Sequence, residues 1–135
     1  MEKNYNYFDG EKDKEYNISK MYNYVKDKQE IDKVLEKIIS PIIEDKKLKI
    51  LDACCGIGHI SNLLSQISPK SIFLGIDQSD NLIEEAKKIS KNKNNLSFEL
   101  GDLYNISNKF QKEFDISIIW KTISWLPYYE QMIKE

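Results

Sequence analysis

The segment from Leu48 to His59, Leu-Lys-Ile-Leu-Asp-Ala-Cys-Cys-Gly-Ile-Gly-His, constrains this chain more than any other. It opens as a short apolar strand that ends at an acid, Asp52. A turn of small residues follows: Ala53, Cys54, Cys55, Gly56 and Gly58. Ile57, Ile60, Leu63, Leu64 and Ile67 then recur at helical spacing. Strand, small-residue turn and helix make the first half of a nucleotide-binding βαβ unit. Glycine suits such a turn because the backbone must bend sharply and let a ligand approach with no Cβ between them. The helix behind it offers unpaired N–H groups and the positive end of its dipole.

The acid narrows the choice of ligand. In dinucleotide folds a pyrophosphate lies over this turn, and a carboxylate beside it would repel it. Asp52 instead suits a neutral or cationic moiety, such as the amino group of an amino acid. The third glycine of the dinucleotide fingerprint falls at Ser61, so that pattern is incomplete. An NAD-type oxidoreductase domain is therefore the weaker alternative.

Two further strands repeat the theme. Ser71 to Ile76 is apolar and ends at Asp77, which lies 21 residues beyond Gly56. That spacing puts a carboxylate beside the first turn, where ribose hydroxyls are bound. Ser79 or Asp80 caps the next helix, whose apolar positions are Leu82, Ile83, Ala86 and Ile89. Leu96 to Leu100 reads as a third strand, followed by Gly101-Asp102-Leu103. Asp115 to Trp120 reads as a fourth, nearly all apolar, as a strand buried on both faces should be. Ser124 could cap a final helix, with Pro127 in its first turn. Upstream, Ile31, Val34, Leu35, Ile38, Ile39, Ile42 and Ile43 form the stripe of an amphipathic helix, expected to be core, and Pro41 should kink or loosen its last turn.

These strand ends, taken in order, resemble the class I S-adenosylmethionine-dependent methyltransferases over about Ile31 to Leu126. Leu51 to Gly58 is similar to the family's acid-x-Gly-x-Gly-x-Gly turn, with Cys54 at the first glycine position. The resemblance implies that Asp52, Cys54, Gly56 and Gly58 border the methionyl moiety of S-adenosylmethionine. It implies ribose binding by Asp77, with Gln78 at the adenine edge. Asp102 and Leu103 would hold adenine, and Trp120 would line the pocket near the transferred methyl. No catalytic residue is assigned. His59 has an ordinary pKa of about 6.5 and could act as a base. Its place in the first helical turn fits contact with cofactor or solvent better. Asp115 reads as a structural acid opening its strand.

The fold so implied is α/β. It is a Rossmann-like three-layer sandwich with a mostly parallel sheet in the order 3-2-1-4, preceded by a helical arm. Residues 1–28 form that arm or lid, and residues 29–135 the S-adenosylmethionine-binding domain. Composition alone, polar and rich in Lys, Asn and Asp, makes the arm loosely ordered. The resemblance makes it a lid whose tyrosines (Tyr5, Tyr7, Tyr16, Tyr22, Tyr24) could face a sulfonium. The family's sheet continues past strand four, so the chain resembles a truncated member. Strand four would then be a bare apolar edge, to be covered by a second copy or a partner chain. The function implied is methyl transfer to a small-molecule acceptor. A non-catalytic S-adenosylmethionine-binding module is the alternative.

Composition removes other classes. Net charge is −2, and all 20 basic residues are lysine. A nucleic-acid surface would be basic and would use arginine. No run approaches the roughly 18 apolar residues of a membrane span, and the first residues do not read as a signal peptide. Two adjacent cysteines and one histidine make no metal site, and they fit a reducing cytoplasm.

Overall fold

The computed structural model describes residues 14–110, 113–122, 130 and 134. Its centre is a sheet of four parallel strands: β1 (Lys49–Ala53), β2 (Ile72–Asp77), β3 (Leu96–Leu100) and β4 (Ile116–Ile118). Their order is β3-β2-β1-β4, as expected. Parallel neighbours need crossovers, and α3 (His59–Ile67) and α4 (Asp80–Ser90) provide them. The chain therefore reverses direction across the sheet between β1 and β4. In open α/β sheets that switch point, at the carboxyl ends of the strands, is where ligands bind.

The strands alternate their side chains between two cores. Ile50, Phe73, Leu96, Phe98 and Ile118 meet Leu35, Ile60, Leu64, Ile83 and Ala86 of the helices on one face. Leu51, Ala53, Leu74 and Ile76 meet Leu103 and Tyr104 on the other. Among the described residues this second layer is thin. It includes a 3-10 turn (Leu103–Asn105), the short α5 (Ile106–Lys109) and the rings of Phe110 and Phe114. At the amino ends of the strands, buried Ser68 and Ser71 donate to the carbonyls of Ile43 and Lys46 at 2.8 and 2.9 Å. These bonds fasten the approach to β1 against the start of β2.

Ser79 caps α4 by accepting the Leu82 N–H at 3.5 Å, and Lys87 and Lys88 end that helix, as its dipole favours. β4 is shorter than expected, with three residues instead of six. It pairs with β1 alone, and no further described strand lies beyond it. Asp115 is structural: its Oδ2 accepts the Lys49 N–H at 2.8 Å, and its own N–H donates to the Lys49 carbonyl. The helix expected from Ser124 lies outside the described residues.

The amino-terminal arm differs from its composition. Lys14–Asp27 is a helix, α1, and a break at Lys28 separates it from α2 (Gln29–Ile43). Long-range contacts hold it rather than a strong apolar face. Tyr22 Oη donates to Glu85 of α4 at 2.7 Å, and Met21 lies over Gly56. Tyr5 and Tyr7 lie outside the described residues.

α2 corrects the expectation that its whole stripe is core. Leu35 and Ile43 are buried, and Ile39 packs against the same cluster. Ile31, Val34, Ile38 and Ile42 are instead 43–57 % exposed. Seven apolar positions span a wider arc than one helix-on-sheet contact covers, so half of the stripe faces outward. Pro41 lies in the last turn of α2, which continues past it to Ile43. Leu35→Ala should lower stability by about 2–4 kcal/mol, whereas Ile38→Ala should cost about 1 kcal/mol or less. Urea denaturation compares them, and equal losses would show that the outer row is packed in solution.

Candidate functional site

The carboxyl ends of β1 and β2 bring five of the nine proposed residues into one constellation. Asp52, next to last in β1, is 3 % exposed and accepts the Ser61 hydroxyl at 2.5 Å. Ser61 stands where a dinucleotide fold has its third glycine, and its place in the first turn of α3 aims the hydroxyl back at the strand. Burial pushes the Asp52 carboxyl up from 3.8 to about 7. The Ser61 bond opposes that rise, and the nearby charge of Asp77 adds to it.

The turn itself is left-handed at three positions: Cys54 (φ 63°), Gly56 (φ 56°) and Gly58 (φ 80°). A non-glycine residue there costs on the order of 1 kcal/mol, which is what the cysteine at the first glycine position bears. The two glycines answer different needs. A Cβ at Gly58 would stand 2.4 Å from the Phe98 ring, so that position is closed by packing. A Cβ at Gly56 would meet only Met21 of α1, at 3.4 Å or more. Among the described residues, nothing else lies within 4 Å of that position. Both cysteine thiols are free, and burial pushes both up, so neither is an ionised nucleophile.

Asp77, ending β2, locks onto this turn. Its Oδ2 accepts the Gly56 N–H at 2.9 Å, and its Oδ1 accepts the Ser79 N–H at 3.0 Å. Cys55 N–H also bonds the Ile76 carbonyl at 2.9 Å, so the turn is tied to β2 twice. Gln78 follows on the exposed side. The end of β3 joins the group through Gly101 N–H, which donates to the Asp77 carbonyl at 2.9 Å. Asp102 there caps the 3-10 turn, accepting from Tyr104 N and Asn105 Nδ2. Leu103 is 6 % exposed and packs in the thin-layer core. Trp120 stands apart at the end of β4, and its Nε1 donates to Asp32 of α2 at 2.8 Å. Among the described residues, no group of His, Cys, Asp and Glu could hold a metal ion, and no helix is long and apolar enough to cross a membrane.

Three participants escaped the sequence reading. Asp32 resembles any acid in a first helical turn, and its partners lie far along the chain. Lys121 is one lysine among 20 basic residues. Met21 lies in a segment whose composition is polar. Ser61 was visible only as a departure from the glycine pattern.

A family model described as "Methyltransferase domain" matches residues 44–135. The chain belongs to the class I S-adenosylmethionine-dependent methyltransferase family. It is 29 % identical over 121 residues to demethylmenaquinone methyltransferase of Staphylococcus carnosus, covering 88 % of this chain and 49 % of that one. Among solved structures, PKMT2 from Rickettsia typhi in complex with AdoHcy has 29 % identity and a TM-score of 0.56, covering 64 % of this chain and 17 % of that one. Magnesium protoporphyrin IX methyltransferase from Synechocystis PCC 6803, with bound SAH, shares the fold with a TM-score of 0.63. It has 23 % identity and covers 78 % of this chain and 48 % of that one. The chain spans about a third to a half of the length of the curated relatives it matches.

Asp52 gives this methyltransferase domain a pH signature. Its folded pKa lies above the unfolded one, so the stability it contributes is full below about pH 4 and lost as pH rises through about 7. Asp52→Asn removes that dependence. Relative to the parent chain, the variant should gain on the order of 2–4 kcal/mol between pH 4 and pH 8. Denaturation curves across that range measure it, and parallel pH profiles would contradict an Asp52 that resists ionisation.

Proposed function

We propose that the chain binds S-adenosylmethionine at the carboxyl ends of β1, β2 and β3 and transfers its methyl group to a small-molecule acceptor. The observation that carries this reading is the pairing of a buried acid, Asp52, with a second acid, Asp77, seated on the glycine turn. That pair suits a ligand with a cationic end and a ribose, and it opposes a pyrophosphate.

The residues fit the cofactor. Asp52 resists ionisation alone, and an ammonium beside it would restore its charge. Asp52, Cys54, Gly56 and Gly58 would border the methionyl moiety, with Met21 as the described side chain over Gly56. Asp77, seated on the turn by the Gly56 and Ser79 N–H groups, would bind the ribose hydroxyls. Gln78, Asp102 and Leu103 would flank adenine, and Trp120 would close the β4 side. When bound, S-adenosylmethionine supplies a methyl group on a positively charged sulfur. The chain's own part is to align the acceptor and exclude water, which can contribute several kcal/mol. Residues 1–28 would serve as the lid over the domain formed by residues 29–135, a reading supported by Met21 on Gly56. The names of the demethylmenaquinone and protoporphyrin enzymes support a small-molecule acceptor. A cytoplasmic setting belongs to the same proposal.

Asp77→Ala tests the assignment. Hydrogen bonds to a charged group are worth about 1.5–3 kcal/mol, so affinity for S-adenosylhomocysteine should fall roughly 10- to 100-fold by calorimetric titration. Unchanged affinity in a folded variant would remove Asp77 from the ribose site.

A further inference from the structure

Asp32 is 2 % exposed, and a charge buried that deeply needs partners. Two cations or donors converge on one of its oxygens. Trp120 Nε1 donates to Oδ1 at 2.8 Å, and Lys121 Nζ lies 2.6 Å from the same atom. The Tyr24 ring of α1 lies 5.2 Å from that ammonium. Oδ2 is different: among the described residues it is buried without a hydrogen-bond partner. A carboxylate oxygen left in that condition is destabilising and calls for an explanation. The polar atom within reach is His59 Nε2, at 3.3 Å.

His59 is the only histidine of the chain, and it opens α3 directly after Gly58. Its side chain is 32 % exposed, so the ring touches solvent as well as the interior. Burial lowers its pKa, Lys121 lowers it further, and Asp32 opposes both. A neutral imidazole carries one N–H, and a carboxylate beside Nε2 draws the proton to that nitrogen. Nδ1 then keeps its lone pair. Catalytic hydrogen bonds are often long before substrate binds, and a small tilt of the ring closes 3.3 Å to bonding distance.

We propose that Asp32 and His59 form a proton-accepting dyad, with Asp32 Oδ2 holding Nε2–H and His59 Nδ1 taking the proton of a hydroxyl acceptor. Asp32 is the positioning residue, and Trp120 and Lys121 fix its other oxygen. The proposal rests on the methyltransferase reading above. In the transfer, the acceptor oxygen bonds the methyl carbon, sulfur keeps the electron pair of the broken C–S bond, and the O–H proton passes to Nδ1. The half-exposed ring then releases that proton to water. The acceptor class follows from the base. A carboxylate or thiolate reacts already ionised, and an amine attacks through its lone pair. A phenolic or enolic hydroxyl has to lose its proton as the bond forms.

The single histidine makes the test unambiguous. The chain labelled with ¹⁵N-histidine is saturated with S-adenosylhomocysteine, checked by calorimetry, and its imidazole nitrogens are read by NMR at pH 7.5 while phenol is added as the hydroxyl probe. The Nε2–H tautomer is expected, with phenol moving the Nδ1 resonance and leaving Nε2 in place. Asp32→Asn should abolish the tautomer preference, read on the variant saturated with S-adenosylhomocysteine as calorimetry shows. An Nδ1–H ring in the parent chain overturns the proposal, and because that measurement needs no variant it stands even if Asp32→Asn fails to fold. A resonance unmoved by phenol in the saturated protein also overturns it, leaving a purely structural pair. Absence of S-adenosylhomocysteine binding defeats the cofactor reading itself, and calorimetry reports that separately.

Discussion

The carboxylate of Asp77 on the Gly56 N–H fixes the rest of the site. Without it, a turn with three left-handed residues would be held to β2 only by the bond from Cys55 to Ile76. With it, the ends of β1 and β2 become one rigid edge, and the Gly101 bond to Asp77 extends that edge to β3. The Phe98 ring closes the structure from beneath, filling the space that side chains at Gly58 or Gly75 would need. Packing and electrostatics therefore act on the same few residues. The turn cannot relax without disturbing either the core or the acid.

Burial sets the chemistry of this edge. Asp52 lies behind the turn, poorly solvated, with a serine hydroxyl as its partner. Such an acid titrates near physiological pH, and a cation brought to it favours the ionised form. Asp77 is less buried and already accepts two backbone N–H bonds. Two acids at neighbouring strand ends are thus prepared for different parts of one ligand.

Much of this was legible in the sequence, because the features are local. A strand that ends in an acid, followed by small residues and a 3.6-residue apolar period, needs no tertiary information to be read. The spacing from Gly56 to Asp77 is set by one helix and one strand, so it was legible too. The failures have a common cause in long-range contact. The apolar stripe of α2 shows that the helix is amphipathic, but its width does not say how much of it another layer covers. Ile31, Val34, Ile38 and Ile42 are exposed for that reason. Asp32 is bonded to Trp120, 88 residues away, and no periodicity connects them. α1 has a polar composition and is helical because Tyr22, Met21 and Tyr24 find partners on other elements.

The central claim is that four parallel strands build a site for S-adenosylmethionine and not for a dinucleotide. Calorimetric titration of the purified chain with S-adenosylhomocysteine, with NADH as the control, tests it most directly. The account predicts saturable micromolar binding of S-adenosylhomocysteine and no heat from NADH. Tight NADH binding with no response to S-adenosylhomocysteine would contradict it, and would return Asp52 and Ser61 to the role of ordinary buried polar residues.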